Sequence, residues 1–95
     1  MKYLVQLFGK PETKVIVESE SPDYAPDYYV HEYCQPGEGH IFFVEVADTR
    51  GSPWVLWRVE DQGVLIPGTG NALLTFKVDT EEARLEMSTV AKKMN

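Results

Sequence analysis

The stretch His40–Glu60, HIFFVEVADTRGSPWVLWRVE, decides the fold. Its first part, His40–Ala47, sets His40, Phe42, Val44 and Val46 on one side of an extended chain and Ile41, Phe43, Glu45 and Ala47 on the other. Apolar side chains leave both faces, so this strand is expected at the centre of a sheet. Asp48-Thr49-Arg50-Gly51-Ser52-Pro53 is dense in turn formers, and Trp54–Glu60 resumes the alternation with Val55, Trp57 and Val59 against Trp54, Leu56, Arg58 and Glu60. The two segments predict an antiparallel hairpin. Trp54 and Trp57, three apart, are expected on opposite faces. One belongs to the core, and the other, with Arg58 on its flank, is either a lid over the open side of the sheet or an exposed anchor for a partner.

Working outward, Lys2–Phe8 alternates as a strand and is followed by Gly9-Lys10-Pro11-Glu12, after which the β-branched run Thr13–Ser19 returns antiparallel. On the other side, Val64–Ile66 and Ala72–Val78 flank the turn-rich PGTGN, and the second of them is read as a strand with Leu74, Phe76 and Val78 inward. Asp79 and Glu82 have capping-box spacing at the start of a last helix. In that helix Ala83, Met87, Val90 and Met94 recur on one side, and Lys92 and Lys93 suit the negative end of the dipole. The order is β-β-α-β-β-β-α. It predicts a single α+β domain over residues 1–95, two-layered, with an antiparallel sheet and both helices on one face.

The first helix falls in Ser21–Cys34, SPDYAPDYYVHEYC. Ser21 and Pro22 make a good helix start, but Pro26 removes a backbone donor, so either the helix runs from Ser21 or Ser21–Ala25 is a turn leading into a helix that begins at Pro26. Pro36-Gly37 ends it in both cases. At ~100° per residue, Pro26, Tyr29, Val30 and Tyr33 share the side expected to face the sheet. Tyr24, Tyr28 and His31 share the opposite side, beside Asp27 and Glu32. Tyrosines presented outward offer apolar area with a polar tip, which suits a partner-binding patch as well as it suits a simple cover for the helix.

The chain of 95 residues, with 43% hydrophobic and 25% charged residues, is sized for one self-folding core. One cysteine and no cleavable leader or long apolar run point to a reducing cytoplasmic setting, without a membrane span. A net charge of −6 has the wrong sign for direct nucleic-acid binding and suits a partner with a basic surface. His31, Cys34 and His40 are too few for a closed metal site, and their spacing matches no structural-zinc pattern. A Cys34–His31 nucleophilic pair lacks a third group to orient the histidine, and Cys34 is more simply a small buried hydrophobe. PGTGN lacks the lysine of a phosphate-binding loop. No cofactor is expected.

The opening YLVQLFGKPETKVIVESESPDYA, two strands and then a Ser-Pro-acidic helix start, resembles the N-terminal halves of small phage-encoded proteins, among them anti-CRISPR inhibitors and other host-takeover proteins. Pro26 and the acidic balance depart from the alanine-rich helix that such proteins tend to carry. The resemblance implies a viral inhibitor that docks on a larger host machine. The expected function is therefore a non-enzymatic protein-binding module acting on a nucleic-acid-processing complex through Tyr24, Asp27, Tyr28, His31, Glu32, Trp54, Trp57 and Arg58. The alternatives are a homodimeric assembly protein built on an uncovered sheet edge or face, and a small enzyme using Cys34 and His31.

Overall fold

The computed structural model describes residues 1–68 and 70–94, and side chains as far as residue 89. Thr69 of the PGTGN loop and the side chains of Val90, Lys92, Lys93 and Met94 lie outside the described residues. The strands are β1 (Lys2–Leu7), β2 (Lys10–Glu18), β3 (Ile41–Asp48), β4 (Val55–Ile66) and β5 (Gly70–Lys77), with α1 (Ala25–Tyr33) after β2 and α2 (Thr80–Met94) after β5. They form one antiparallel sheet in the order β2-β1-β3-β4-β5, the expected α+β class and element order. β3 is central, as its two apolar faces require. The turn between β1 and β2 is only Phe8-Gly9, and Gly9 holds φ +74°, a left-handed conformation that suits glycine in a two-residue hairpin.

On one face, Tyr3, Val5, Val17, Val44, Val46, Trp57 and Val59 form a buried cluster with Ala25, Tyr29 and Val30 of α1. On the other, Phe43 and Leu56 pack against Ala83 of α2, with Phe8, Ile41 and Val78 at the margins. Successive residues of β3 and β4 thus enter different clusters, so the helices cover opposite faces rather than sharing one. The reason lies in β3 and β4 themselves. A strand apolar on both sides needs cover on both, and a single layer of helices protects only one.

α2 is held by charge as much as by packing. Arg58 on β4 donates to both carboxylate oxygens of Glu86, Nε to Oε2 at 2.9 Å and Nη2 to Oε1 at 2.7 Å, and also reaches Glu60 at 2.9 Å. The Glu82 amide donates to Asp79 Oδ1 at 2.7 Å, so Asp79 caps this helix at the expected place. Leu74 and Phe76, expected inward, stand on the α2 side of β5 but remain 48% and 41% exposed, because the covering cluster of α2 centres on β3 and β4. Leu73, on the α1 side, packs against the core instead.

Val64–Ile66 belongs to β4. The strand continues through an irregularity between Asp61 and Leu65, where Gly63 has φ +72° and its amide donates to the Asp61 carboxylate at 2.8 Å. The β3–β4 ladder ends at Ile41 and Glu60, the Asp61 amide donates to His40 O at 2.9 Å just beyond it, and from there the β4–β5 hairpin runs on past β3 as a two-stranded arm.

If the second face is a true core, Leu56→Ala should cost about 3 kcal/mol of unfolding free energy in urea titrations. Leu85→Ala, at a site 70% exposed, should stay within about 0.5 kcal/mol of the parent.

Candidate functional site

The chain enters α1 through a turn, Pro22–Tyr24, in which the Tyr24 amide donates to Ser21 O at 3.3 Å. The helix itself begins at Ala25, with Tyr24 as its N-cap residue and Pro26 in the first turn, where no intrahelical donor is needed. Of the two readings of this start, the turn followed by a short helix is the observed one. At the other end Cys34 turns extended, and its amide donates to Val30 O at 3.1 Å.

Ala25, Pro26, Tyr29 and Val30 form the buried side of α1. Tyr33, expected with them, is 55% exposed. Its ring lies against that of Tyr29 at 5.4 Å, while Cys34 takes the place packed on the core as the helix ends. Two side chains fix the helix across the sheet. The Tyr29 hydroxyl donates to Thr13 O of β2 at 3.0 Å, and Thr75 Oγ1 of β5 donates to the Asp27 carboxylate. Asp27 is therefore half-buried rather than presented outward. Burial pushes its carboxyl above the ordinary range, against the opposing pull of Thr75 and of His31.

Of the expected partner-binding residues, Tyr24 (55% exposed), Tyr28 (50%), His31 and Glu32 are outward on α1. Trp54, which directly precedes β4, is the exposed one of the two tryptophans. Trp57 and Arg58 do not belong to a surface patch. Trp57 is buried in the α1-side core beneath the Lys77 ammonium, 5.5 Å from its ring, and its indole N–H has no hydrogen-bond partner among the described residues. Arg58 is engaged with Glu86 and Glu60. Tyr33 replaces them as an exposed aromatic next to Glu32.

One electrostatic feature escapes a residue-by-residue reading, although a count along the chain reveals it. Between Lys14 and Arg50 there is no lysine or arginine, and eight carboxylates fall in that interval. Glu20, Asp23 and Glu32 are exposed, as is Glu18, which pairs with the N-terminal ammonium at 3.2 Å, and Glu18 and Glu20 line one surface hollow with Tyr28. α1 is consequently an acidic layer, with its tyrosines as the apolar component.

Beyond the end of α1, Asp61 is almost fully buried and accepts from Asn71 Nδ2 at 2.8 Å as well as from the Gly63 amide. These donors hold its carboxyl below the ordinary range, with His40 and His31 adding a smaller pull. Asp61 pins the root of the arm. Burial pushes the Cys34 thiol upward, opposite to the shift that makes a nucleophile. On the far side of the sheet a groove of about 560 Å³ runs between Phe8, Ile41 and Phe43 and the Glu86-Met87 turn of α2. Among the described residues no group of His, Cys, Asp and Glu side chains is arranged to hold a metal ion, and no helix is long and apolar enough to cross a membrane. No protein-family model matches the chain, and neither a curated protein nor a solved structure matches it significantly.

Asp27 and Asp61 should shape stability in opposite ways. The depressed Asp61 value adds stability above about pH 3.9, the unfolded value, and that contribution disappears as pH falls through the folded one. The raised Asp27 value favours the fold below about pH 4 and ceases to do so as pH rises through it. Urea midpoints at pH 7 should accordingly fall in Asp61→Asn and rise in Asp27→Asn, with both differences shrinking toward pH 2.5. The reverse order at pH 7 contradicts these assignments.

Proposed function

We propose that the protein is a non-enzymatic binding module that docks the outer surface of α1 onto a basic surface of a protein partner. The observation that carries this reading is the segregation of charge. A layer with exposed Tyr24 and Tyr28, flanked by carboxylates and without a lysine or arginine in its segment, complements a surface that ordinarily meets phosphate. Tyrosine contributes contact area at little entropic cost, and the anchoring of α1 to β2 and β5 removes the cost of ordering the helix. In concrete form, the partner is a host nucleic-acid-processing complex in the cytoplasm of an infected cell, and the protein acts by covering its nucleic-acid channel, as the resemblance to phage inhibitors implies.

The test is competition with nucleic acid. In mobility-shift titrations of a purified RNA-guided effector complex with its target DNA at 50 mM salt, the protein should suppress the shifted band, and 300 mM salt should weaken the suppression. The Tyr24→Ala/Tyr28→Ala variant should require at least tenfold more protein for the same effect. An unchanged band at low salt, or full potency of the double variant, contradicts the proposal.

A further inference from the structure

β3 reaches further than the hairpin beside it, and the difference leaves a notch in the sheet. β1 turns away at Phe8-Gly9, where the Phe8 amide donates to Phe43 O at 2.9 Å, whereas β3 already begins at Ile41. Ladder bonds alternate between the two sides of a strand. His40 O accepts from Asp61 on the β4 side and Phe43 O accepts from Phe8 on the β1 side, so the Ile41 N–H and C=O turn toward the β1 side, past the point where β1 ends. No strand pairs with them there among the described residues. The groove of about 560 Å³ opens at this spot, walled by Leu7, Phe8, Phe43 and the half-exposed Met87. Around it the carboxylates are engaged and the cations are not. Glu86 lines the groove, but Arg58 takes both of its oxygens. Glu60, opposite Ile41 in the ladder, accepts from Arg58 and Gln62, and Glu45 accepts from Gln6 Nε2 at 2.7 Å. Lys10 also lines the groove and the Arg84 guanidinium lies 5.9 Å from the Phe8 ring, yet neither forms an ion pair among the described residues.

We propose that this notch captures the free C-terminus of an extended peptide from a protein partner, one whose last two residues are apolar. Three features of the notch select that occupant together. The Ile41 edge offers one donor and one acceptor, which is what a peptide unit takes up when it is added to a sheet. A side chain opposite Ile41 falls on the same side of the sheet as Ile41 itself, which is the α2 side, and so enters between Phe8, Phe43 and Met87. Charge fixes the direction. A peptide lying along β3 meets the end of β1 with one of its termini, and Lys10 stands there with Arg84 nearby, so an ammonium is repelled and a carboxylate is accepted. The peptide therefore runs parallel to β3. A contact of a few residues supports only weak affinity, with a dissociation constant of about 10–500 μM. The walls and the cations are on the α2 side, away from the outer tyrosines of α1, so this contact is additional to the acidic layer.

The probes are acetylated peptides Ser-Gly-Ser-Leu-Leu, Ser-Gly-Ser-Val-Phe and Ser-Gly-Ser-Phe-Leu, whose single charge is the terminal carboxylate. Titrated into the wild-type protein and followed by amide and methyl chemical shifts, they should saturate in the range given above and move the Ile41 amide and the Met87 methyl while Tyr24 and Tyr28 stay in place. The C-terminal amide of the tightest peptide should bind at least tenfold more weakly. Lys10→Glu and Met87→Asp, both at exposed sites, should weaken the free acid by a similar factor. The comparison of acid with amide uses the wild-type protein, so it decides the matter even where a variant fails to fold. No saturation by any of the three peptides at about 5 mM, about ten times the weakest dissociation constant expected, overturns the proposal. So does an amide that binds as well as its acid, or a set of shifted residues that leaves out Ile41 and Met87. These peptides carry no basic surface, and their binding is therefore independent of the α1 proposal.

Discussion

Two-sided burial of β3 and β4 is the constraint from which the architecture follows. Phe43 and Leu56 point one way while Val44, Val46, Trp57 and Val59 point the other, and each set needs apolar cover. With about 25 cal/mol for each Å² of apolar surface removed from water, exposing either set forfeits a large share of what a small domain has to spare. The chain meets the demand by placing α1, which interrupts the two hairpins, on one side and α2, which follows the last strand, on the other. The two covers are unequal. α1 spans the sheet, fastened to β2 through Tyr29 and to β5 through Asp27 and Thr75, whereas α2 is tied chiefly through Ala83 and the Arg58–Glu86 pair.

That inequality organises the surface. The firmly held helix has an outer side free for acidic residues and tyrosines, because its inner contacts are carried by Ala25, Pro26, Tyr29 and Val30. The loosely covered face leaves Leu74 and Phe76 partly in water and opens the groove beside Met87. The acidic layer and the apolar groove are thus separated onto different faces, and each selects a different kind of contact: a cationic surface for the first and a peptide carboxylate for the second. Asp61 stands where the arm leaves the sheet. Its carboxylate gathers Asn71 and the Gly63 amide and so fixes how the exposed hairpin departs from the core.

Much of this was legible in the sequence because strands with period two and turns rich in Gly, Pro and Asp leave local signatures. The element order, the central position of β3 and the Asp79 cap all rest on such signals. What was not legible depends on layer geometry. Alternation shows that Phe43 and Val44 part company, but not which helix meets each of them, so the helices were expected on one face. Helical phase placed Tyr33 inward, yet the helix ends there and Cys34 takes its place. Arg58 and Trp57 read as anchors because arginine and tryptophan are common in interfaces, whereas their environments, Glu86 28 residues away and an α1-side core built from several strands, are set by tertiary contacts. Asp61 gave no signal at all, since its partners come from a glycine bulge and from the opposing strand.

The account stands on the helices covering opposite faces of the sheet, and nuclear Overhauser contacts of the Ala83 methyl group measure that directly. Ala83 should show contacts to the Phe43 ring and the Leu56 methyls and none to Val44 or Val59, while the Tyr29 ring should show the complementary set, reaching Val44 and not Phe43. Contacts from Ala83 to Val44 or Val59 would place both helices on one side and contradict the account.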